Sequence, residues 1–544
     1  MRTLKLLCLA LLCAPALLAQ TPRVMDYADI FRLANLGDAA LSPDGAWVVY
    51  QASKLQFPDW QRRNDLFVVS ADGRTTRQLT YTEGEDETGA RWQPRGSTIG
   101  FTSTRENKKR QLFLIRPDGG EARRVTNAED GIGAWAWSPD GAWLAYLAGP
   151  EGKRQVWVLA GDGNGKGEQL TRHATAIESF RWSEAGRSIL FTAADVSDST
   201  RRRRNKEKFD VRVMNEPASA VQLWTFDVAA KTEKRLTQGE FRVSELEMSR
   251  DGRWAAFTGT PTDRYADNRA SEVYLINLET AAQEKLTDNY VGEGSVLFSP
   301  DSRLIAFSAD RDFTFGNLSR VYVRPVTGGP WRELGKGDTH DVGLGFWSAD
   351  SRSIYWNGDE GVNANLFAVD VATGAVRPVT RVEGVVTGDK PKDRETVLLR
   401  STDPRSPTDL YLTPMAQLAT RERWVRLTRL NPWVDSLTLG RYETLRWKAG
   451  DGTTVEGVLV YPVGWDRTRR YPLIVQLHGG PAAAYQNSFS GGHGTYTNVL
   501  AGKGYFVLQP NYRGSTGYGE GFQTAISGNY WPLAAEDILS GWTR

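Results

Sequence analysis

Cysteine is almost missing from this 544-residue sequence: Cys8 and Cys13 are the only two, and both fall within the first 19 residues. Downstream of them disulfides, thiol catalysis and Cys-ligated zinc are excluded. Histidine is scarce as well, at four residues: His173, His340, His478 and His493. No His-Glu-x-x-His or comparable ligand cluster occurs, so metal-dependent chemistry is disfavoured and neither metal nor cofactor is expected. An excess of one charge is also absent. Lys plus Arg number 67 against 65 Asp plus Glu, and removing Arg2 and Lys5 leaves 65 against 65. Such a balance gives no global pull towards nucleic acid or an anionic membrane.

The apolar run at residues 6–18 is too short, and too soon followed by polar sequence, to anchor the chain in a bilayer. Arg2 and Lys5 precede it, and Ala14-Pro15-Ala16 or Ala19 offers a small residue for cleavage. Residues 1–19 therefore read as an export signal, which places the mature chain in a periplasm or outside the cell. Leu12 is bulky where a lipoprotein reading of Cys13 requires a small residue. No stable membrane association is expected.

Glycine (54) and tryptophan (19) are plentiful, and more than five hundred mature residues imply at least two domains. After a segment at 20–35, in which MDYADIFRLANL (25–36) reads as one amphipathic helix, a repeat begins. LSPDGAWVVY (41–50) recurs as WQPRGSTIGF (92–101) and WSPDGAWLAY (137–146), with further copies starting at Trp182, Met248, Phe298 and Trp347. A degraded eighth copy lies at 389–400. Each is followed by a strand of the Leu-Phe-Val-Val kind and then one ending in Leu-Thr, as at 66–80 and 112–126. The Pro-Asp-Gly turn joins two short strands, and the later pair completes a four-stranded sheet. One such sheet cannot bury both faces alone, so the repeats imply radially packed blades. The expectation is an all-β propeller over 36–430, with eight blades favoured over seven, and with the aromatic at each repeat start filling the space between blades. The basic run at 201–208 sits in the longest spacing and reads as a solvated insertion loop rather than a nucleic-acid site.

Past Asn431-Pro432 the pattern changes to strands alternating with helices, an α/β domain over 431–544. Residues 442–448 and 455–461 read as a hairpin, 473–477 and 505–509 as buried strands, 496–500 as a helix, and 532–543 as a helix with Glu536 and Asp537 in its early turns. The strand at 473–477 breaks into His478-Gly479-Gly480-Pro481, where glycines let backbone N–H groups turn outward.

A propeller of Ser-Pro-Asp-Gly repeats, then YPLIVQLHGGP (471–481), then NYRGSTGYG (511–519), resembles the prolyl oligopeptidase family of serine peptidases, S9. Among its branches it is most similar to the acylaminoacyl-peptidase and dipeptidyl-peptidase 5 types. The resemblance implies an α/β-hydrolase domain capped by the propeller, short peptide substrates, and acyl transfer by a Ser-His-Asp triad. It makes the Gly480 backbone N–H one oxyanion donor. His478 stands where some branches use a tyrosine hydroxyl on the oxyanion, so it either assists there or shapes the loop. Residues 511–519 shape the pocket wall or merely turn the chain.

The departure from the family pattern is large. No Gly-x-Ser-x-Gly occurs in the 544 residues; Ser490 and Ser515 lie near glycines, but neither has one two positions before it. Both later histidines precede any position for the nucleophile, so the triad is absent. Half a hydrolase sheet would leave the 473–477 strand at an open apolar edge, which natural proteins avoid. The sequence thus reads as an incomplete record of a longer enzyme, inactive as it stands. The rival reading is an exported TolB-like propeller that binds proteins or peptides and carries a vestigial hydrolase segment.

Overall fold

The computed structural model describes residues 23–541, except 57, 59, 83, 197–202, 205, 208–217, 290, 312–317, 341, 392–393 and 491–494. The export signal, His493 and half of the basic run at 201–208 lie outside the described residues.

Each Ser-Pro-Asp-Gly turn is locked by its own side chains. Ser42 Oγ donates to Asp44 Oδ1 (2.5 Å) and accepts the Trp47 N–H (2.9 Å), while Gly45 turns back at φ +77°. The same arrangement recurs at Ser138, Ser249, Ser299 and Ser348. The Leu-Thr signature has an equally local cause. Thr80, Thr126, Thr171 and Thr237 each accept, on Oγ1, the N–H of an apolar residue in the neighbouring strand, at 2.8–2.9 Å. Thr287, Thr380 and Thr428 repeat the contact. A buried N–H thereby gains a partner where the outermost strand pulls away.

These hairpins assemble into eight four-stranded units, spanning 35–78, 87–124, 132–169, 177–235, 242–285, 293–334, 346–378 and 385–426. Single parallel pairings, Val221 with Arg242 and Ala364 with Val385, join the fourth unit to the fifth and the seventh to the eighth. All strands of the first and last units come from their own segments, so the ring closes by packing: Val48, Tyr50 and Val69 meet Leu398, Leu410 and Leu412. Trp92, Trp137, Trp182, Met248, Phe298 and Trp347 are buried between their own blade and the preceding one. Each such side chain stabilises the ring by roughly 1.5–3 kcal/mol.

The helix expected over 25–36 is shorter, Tyr27–Arg32, with Asp26 as its N-cap. Leu33 is already extended and the first propeller strand starts at Asn35. The reason is tertiary: Asn431 brackets Ala34, accepting its N–H (2.9 Å) and donating to its carbonyl (2.8 Å). Met25, Ile30 and Leu33 then bury against Val434, Leu437 and Val499, tying the N-terminal segment to the second domain.

That domain holds a four-stranded sheet in the order Tyr442–Lys448, Thr454–Val460, Phe506–Asn511, Leu473–Val475, the last pair parallel. The strand expected at 473–477 ends at Val475, although the Gln476 N–H still donates to the Leu508 carbonyl (2.9 Å). It forms one edge of the sheet, and Leu473 and Leu477 are exposed. Helices Thr497–Gly502, Glu520–Thr524 and Tyr530–Ser540 complete the domain among the described residues. No described helix is long and apolar enough to cross a membrane.

Candidate functional site

The end of the Leu473–Val475 strand displays a backbone donor. Gly480 adopts φ +136°, and a Cβ there would lie 2.9 Å from the Ala482 nitrogen, so the turn requires glycine. Gly479 and Gly480 are both exposed. Among the described residues, none accepts a hydrogen bond from the Gly480 N–H.

His478 sits beneath this turn, part-buried, and the NYRGSTGYG loop forms its bed. Its ring stacks on Tyr512 (centroids 4.6 Å apart, planes 8° apart) and meets Tyr485 edge-on. The Tyr512 hydroxyl donates to the His478 carbonyl (2.5 Å). His478 Nδ1 lies 3.0 Å from the Gly479 carbonyl, and Nε2 lies 3.0 Å from Ser515 Oγ. Burial, the larger influence, pushes the imidazole pKa below its ordinary value, while the Gly479 carbonyl pulls the other way.

A Ser–His contact raises the question of a nucleophile, and the geometry answers it. Ser515 is fully buried, and its hydroxyl donates to the Tyr512 carbonyl (2.6 Å). No substrate carbonyl can reach that oxygen, so the pair holds two loops together.

The same loop is anchored from below by charge. The Arg513 guanidinium grips Asp537 through Nε (3.0 and 3.1 Å) and Nη2 (2.7 Å), and the Arg513 N–H donates to Asp537 Oδ2 (2.7 Å). Arg513 also bonds Asp451, whose pKa is pushed down to about 2, first by the Thr453 backbone N–H and then by Arg513. This corrects the reading of Glu536 and Asp537 as helix-start acids. The helix begins at Tyr530, so both fall beyond its first turn, and Asp537 points inward to a buried cation.

Facing this anchored loop, a cleft of about 900 Å³ opens between propeller and hydrolase sheet, with Gly517 and Tyr518 of the loop in its wall. Tyr518 donates to Glu456 Oε1 (3.2 Å) and accepts from Asn511 Nδ2 (2.8 Å). The sequence pointed to Gly480, His478 and the 511–519 loop, and the structure brings all three together. It gave no sign of the Ser515 contact or the Arg513–Asp537 anchor, because neither lies at a spacing that periodicity or a motif marks.

A ring of eight blades followed by this sheet order defines the class: a propeller joined to an α/β-hydrolase. Family models match at both ends, the TolB beta propeller domain at residues 33–201 and the prolyl oligopeptidase family at 493–544. A Bacillus subtilis relative called uncharacterized peptidase YuxL is 26% identical over 534 residues, covering 94% of this chain and 74% of that one. Dipeptidyl-peptidase 5 of Porphyromonas gingivalis is 27% identical over 309 residues, 55% of this chain and 43% of the relative. Acylaminoacyl peptidase of Pyrococcus horikoshii shares the fold at a TM-score of 0.65 and 17% identity, covering 96% of this chain and 72% of that one. The chain resembles the prolyl oligopeptidase family of serine peptidases in both segments, and it spans less than half the length of the dipeptidyl-peptidase 5 relative.

Proposed function

We propose that these residues form the propeller cap and the oxyanion side of an exported serine peptidase acting by acyl transfer on short peptides. Dipeptidyl and acyl-amino acid release are the favoured activities, in keeping with the names of its relatives. One observation carries the reading: the Gly480 N–H stands at a strand end, displayed to solvent, with no acceptor among the described residues. A preorganised donor of this kind stabilises the anionic oxygen of a tetrahedral intermediate. His478 supports the turn through the stacked Tyr512 and the Ser515 contact, and is assigned to shaping the loop. The second donor would be the backbone N–H after the nucleophile, and the 544 residues hold no Gly-x-Ser-x-Gly to supply it.

Removing a single oxyanion donor costs ~10²–10³ in rate; without nucleophile and base, the 544 residues alone should show no triad turnover. The test is the coding sequence beyond codon 544 and the product of the whole reading frame. An in-frame Gly-x-Ser-x-Gly about twenty to thirty residues on, with Asp and then His later, is expected. That product should cleave dipeptide or acyl-amino acid arylamides and label with a fluorophosphonate. A stop codon directly after Arg544 would sink the proposal and leave a peptide-binding propeller as the better account.

A further inference from the structure

The seventh blade of the propeller grips both hydrolase loops around Gly480. The second and third strands of the seventh blade, Ser353–Glu360 and Asn363–Asp370, meet in a hairpin that reaches across the domain seam. Just before its turn stands Asp359. Its Oδ1 accepts from Gln486 Nε2 (2.7 Å), and its Oδ2 accepts from Thr516 Oγ1 (2.7 Å). Gln486 lies on the segment that runs out of His-Gly-Gly-Pro, and Thr516 follows Ser515, which touches His478. A single propeller carboxylate therefore bridges the two loops that build the candidate oxyanion site.

Backbone contacts seat the bridge. The Gly361 N–H donates to the Gly517 carbonyl (2.9 Å), and the Asn487 N–H donates to the Val362 carbonyl (2.6 Å). A Cβ on Gly517 would approach Asp359 Cβ to 3.1 Å, so the two chains touch closely there. Inside the hydrolase the Thr516 N–H donates to the Ala483 carbonyl (3.1 Å), two residues past the cis Gly480–Pro481 bond. From Asp359 the path to the Gly480 turn is thus three residues long by way of Thr516 and Ala483.

We infer that Asp359 is a positioning residue: by clamping Gln486 and Thr516 it fixes the Gly480 turn, making the propeller part of the oxyanion geometry. The inference rests on the function proposed above, but its test does not need turnover. Two hydrogen bonds to a charged acceptor are lost in Asp359→Ala, so amide hydrogen exchange over residues 479–486 and 514–517 should quicken by about tenfold or more. With the clamp gone, water reaches His478 and its NMR titration moves up towards the ordinary histidine value near 6.5. In Asp359→Asn the amide oxygen accepts from Gln486 and its NH₂ donates to the Thr516 hydroxyl, so both readouts should stay near wild type. A general loss of stability would lower the unfolding midpoint without this rescue and without singling out His478. Unchanged loop exchange and an unchanged His478 titration in Asp359→Ala would overturn the clamp while leaving the peptidase proposal standing. Conversely, a stop codon after Arg544 would sink the peptidase proposal, and the exchange result would still report whether the clamp exists.

Discussion

Replacing Glu293 with glutamine measures what a buried carboxyl costs this propeller. Glu293 opens the innermost strand of the sixth blade, Glu293–Phe298, and is 6% exposed. Its Oε2 accepts the Thr287 hydroxyl (2.8 Å), while Oε1 has no hydrogen-bond partner among the described residues. Burial, reinforced by the neighbouring Glu272 carboxylate, pushes its pKa up to about 7. An acid raised in the folded state holds its proton where the unfolded chain has already released it. The associated stability is complete below the ordinary value of 4.5, is lost as pH rises from there towards 7, and changes no further above. The 2.5-unit difference corresponds to roughly 3 kcal/mol at 1.36 kcal/mol per unit. Glutamine keeps an acceptor for Thr287, turns an NH₂ towards Glu272 and never ionises. Glu293→Gln should therefore match wild type at pH 4 and exceed it at pH 8 by several degrees in the propeller's unfolding midpoint, read by tryptophan fluorescence. An equal displacement at both pH values would show that folding leaves the carboxyl's pKa unchanged, and a loss confined to pH 8 that it is ionised and well paired; under either result the reasoning would fail.

Two substitutions probe the other local rules. In Thr126→Val the buried Leu112 N–H loses its partner and Gln111 Oε1 keeps only the Ala128 N–H, costing about 1–3 kcal/mol, and the fall in unfolding midpoint should be independent of pH. Asp537→Ala leaves the Arg513 guanidinium buried without its main partner, at a cost of about 3–5 kcal/mol. The hydrolase segment should then become protease-sensitive beyond residue 431 while the propeller stays resistant; a resistant hydrolase segment would mean that Asp451 and Glu536 suffice to hold Arg513.

The propeller was legible because its rules are local. Ser42, Asp44 and Trp47 make their contacts within five residues, and Leu112 meets Thr126 across one hairpin, so most copies show related letters. The turn at Gly480 was legible for a similar reason: its backbone conformation demands glycine. What escaped is what depends on distant segments. Ala34 is extended because Asn431, nearly four hundred residues away, bonds both its backbone groups. Asp537 looks like a helix-start acid until the fold brings Arg513 to it, and nothing in the local sequence distinguishes Asp359 from any other acid before a hairpin.

The repeat also explains where the propeller concentrates its buried charge. In the first four blades, the seventh and the eighth, the polar residue preceding the first residue of the Leu-Phe-Val-Val kind accepts the proton of the signature threonine. In the second, third and fourth blades it is Gln111, Gln155 or Gln222, a neutral acceptor that needs no counter-charge. In the eighth it is Asp409, and Arg426 of the next strand bonds its second oxygen at 2.5 Å. In the fifth blade the equivalent position is Glu272, and there the threonine donates instead to Glu293 of the following blade. Lys285 donates to Asp288 (2.5 Å) and lies 3.9 Å from Glu272, leaving Glu293 without a paired cation at this corner among the described residues. A register that repeats faithfully has thus brought two acids to one buried corner with one nearby cation, and a proton on Glu293 completes the charge balance that glutamine supplies in the neighbouring blades.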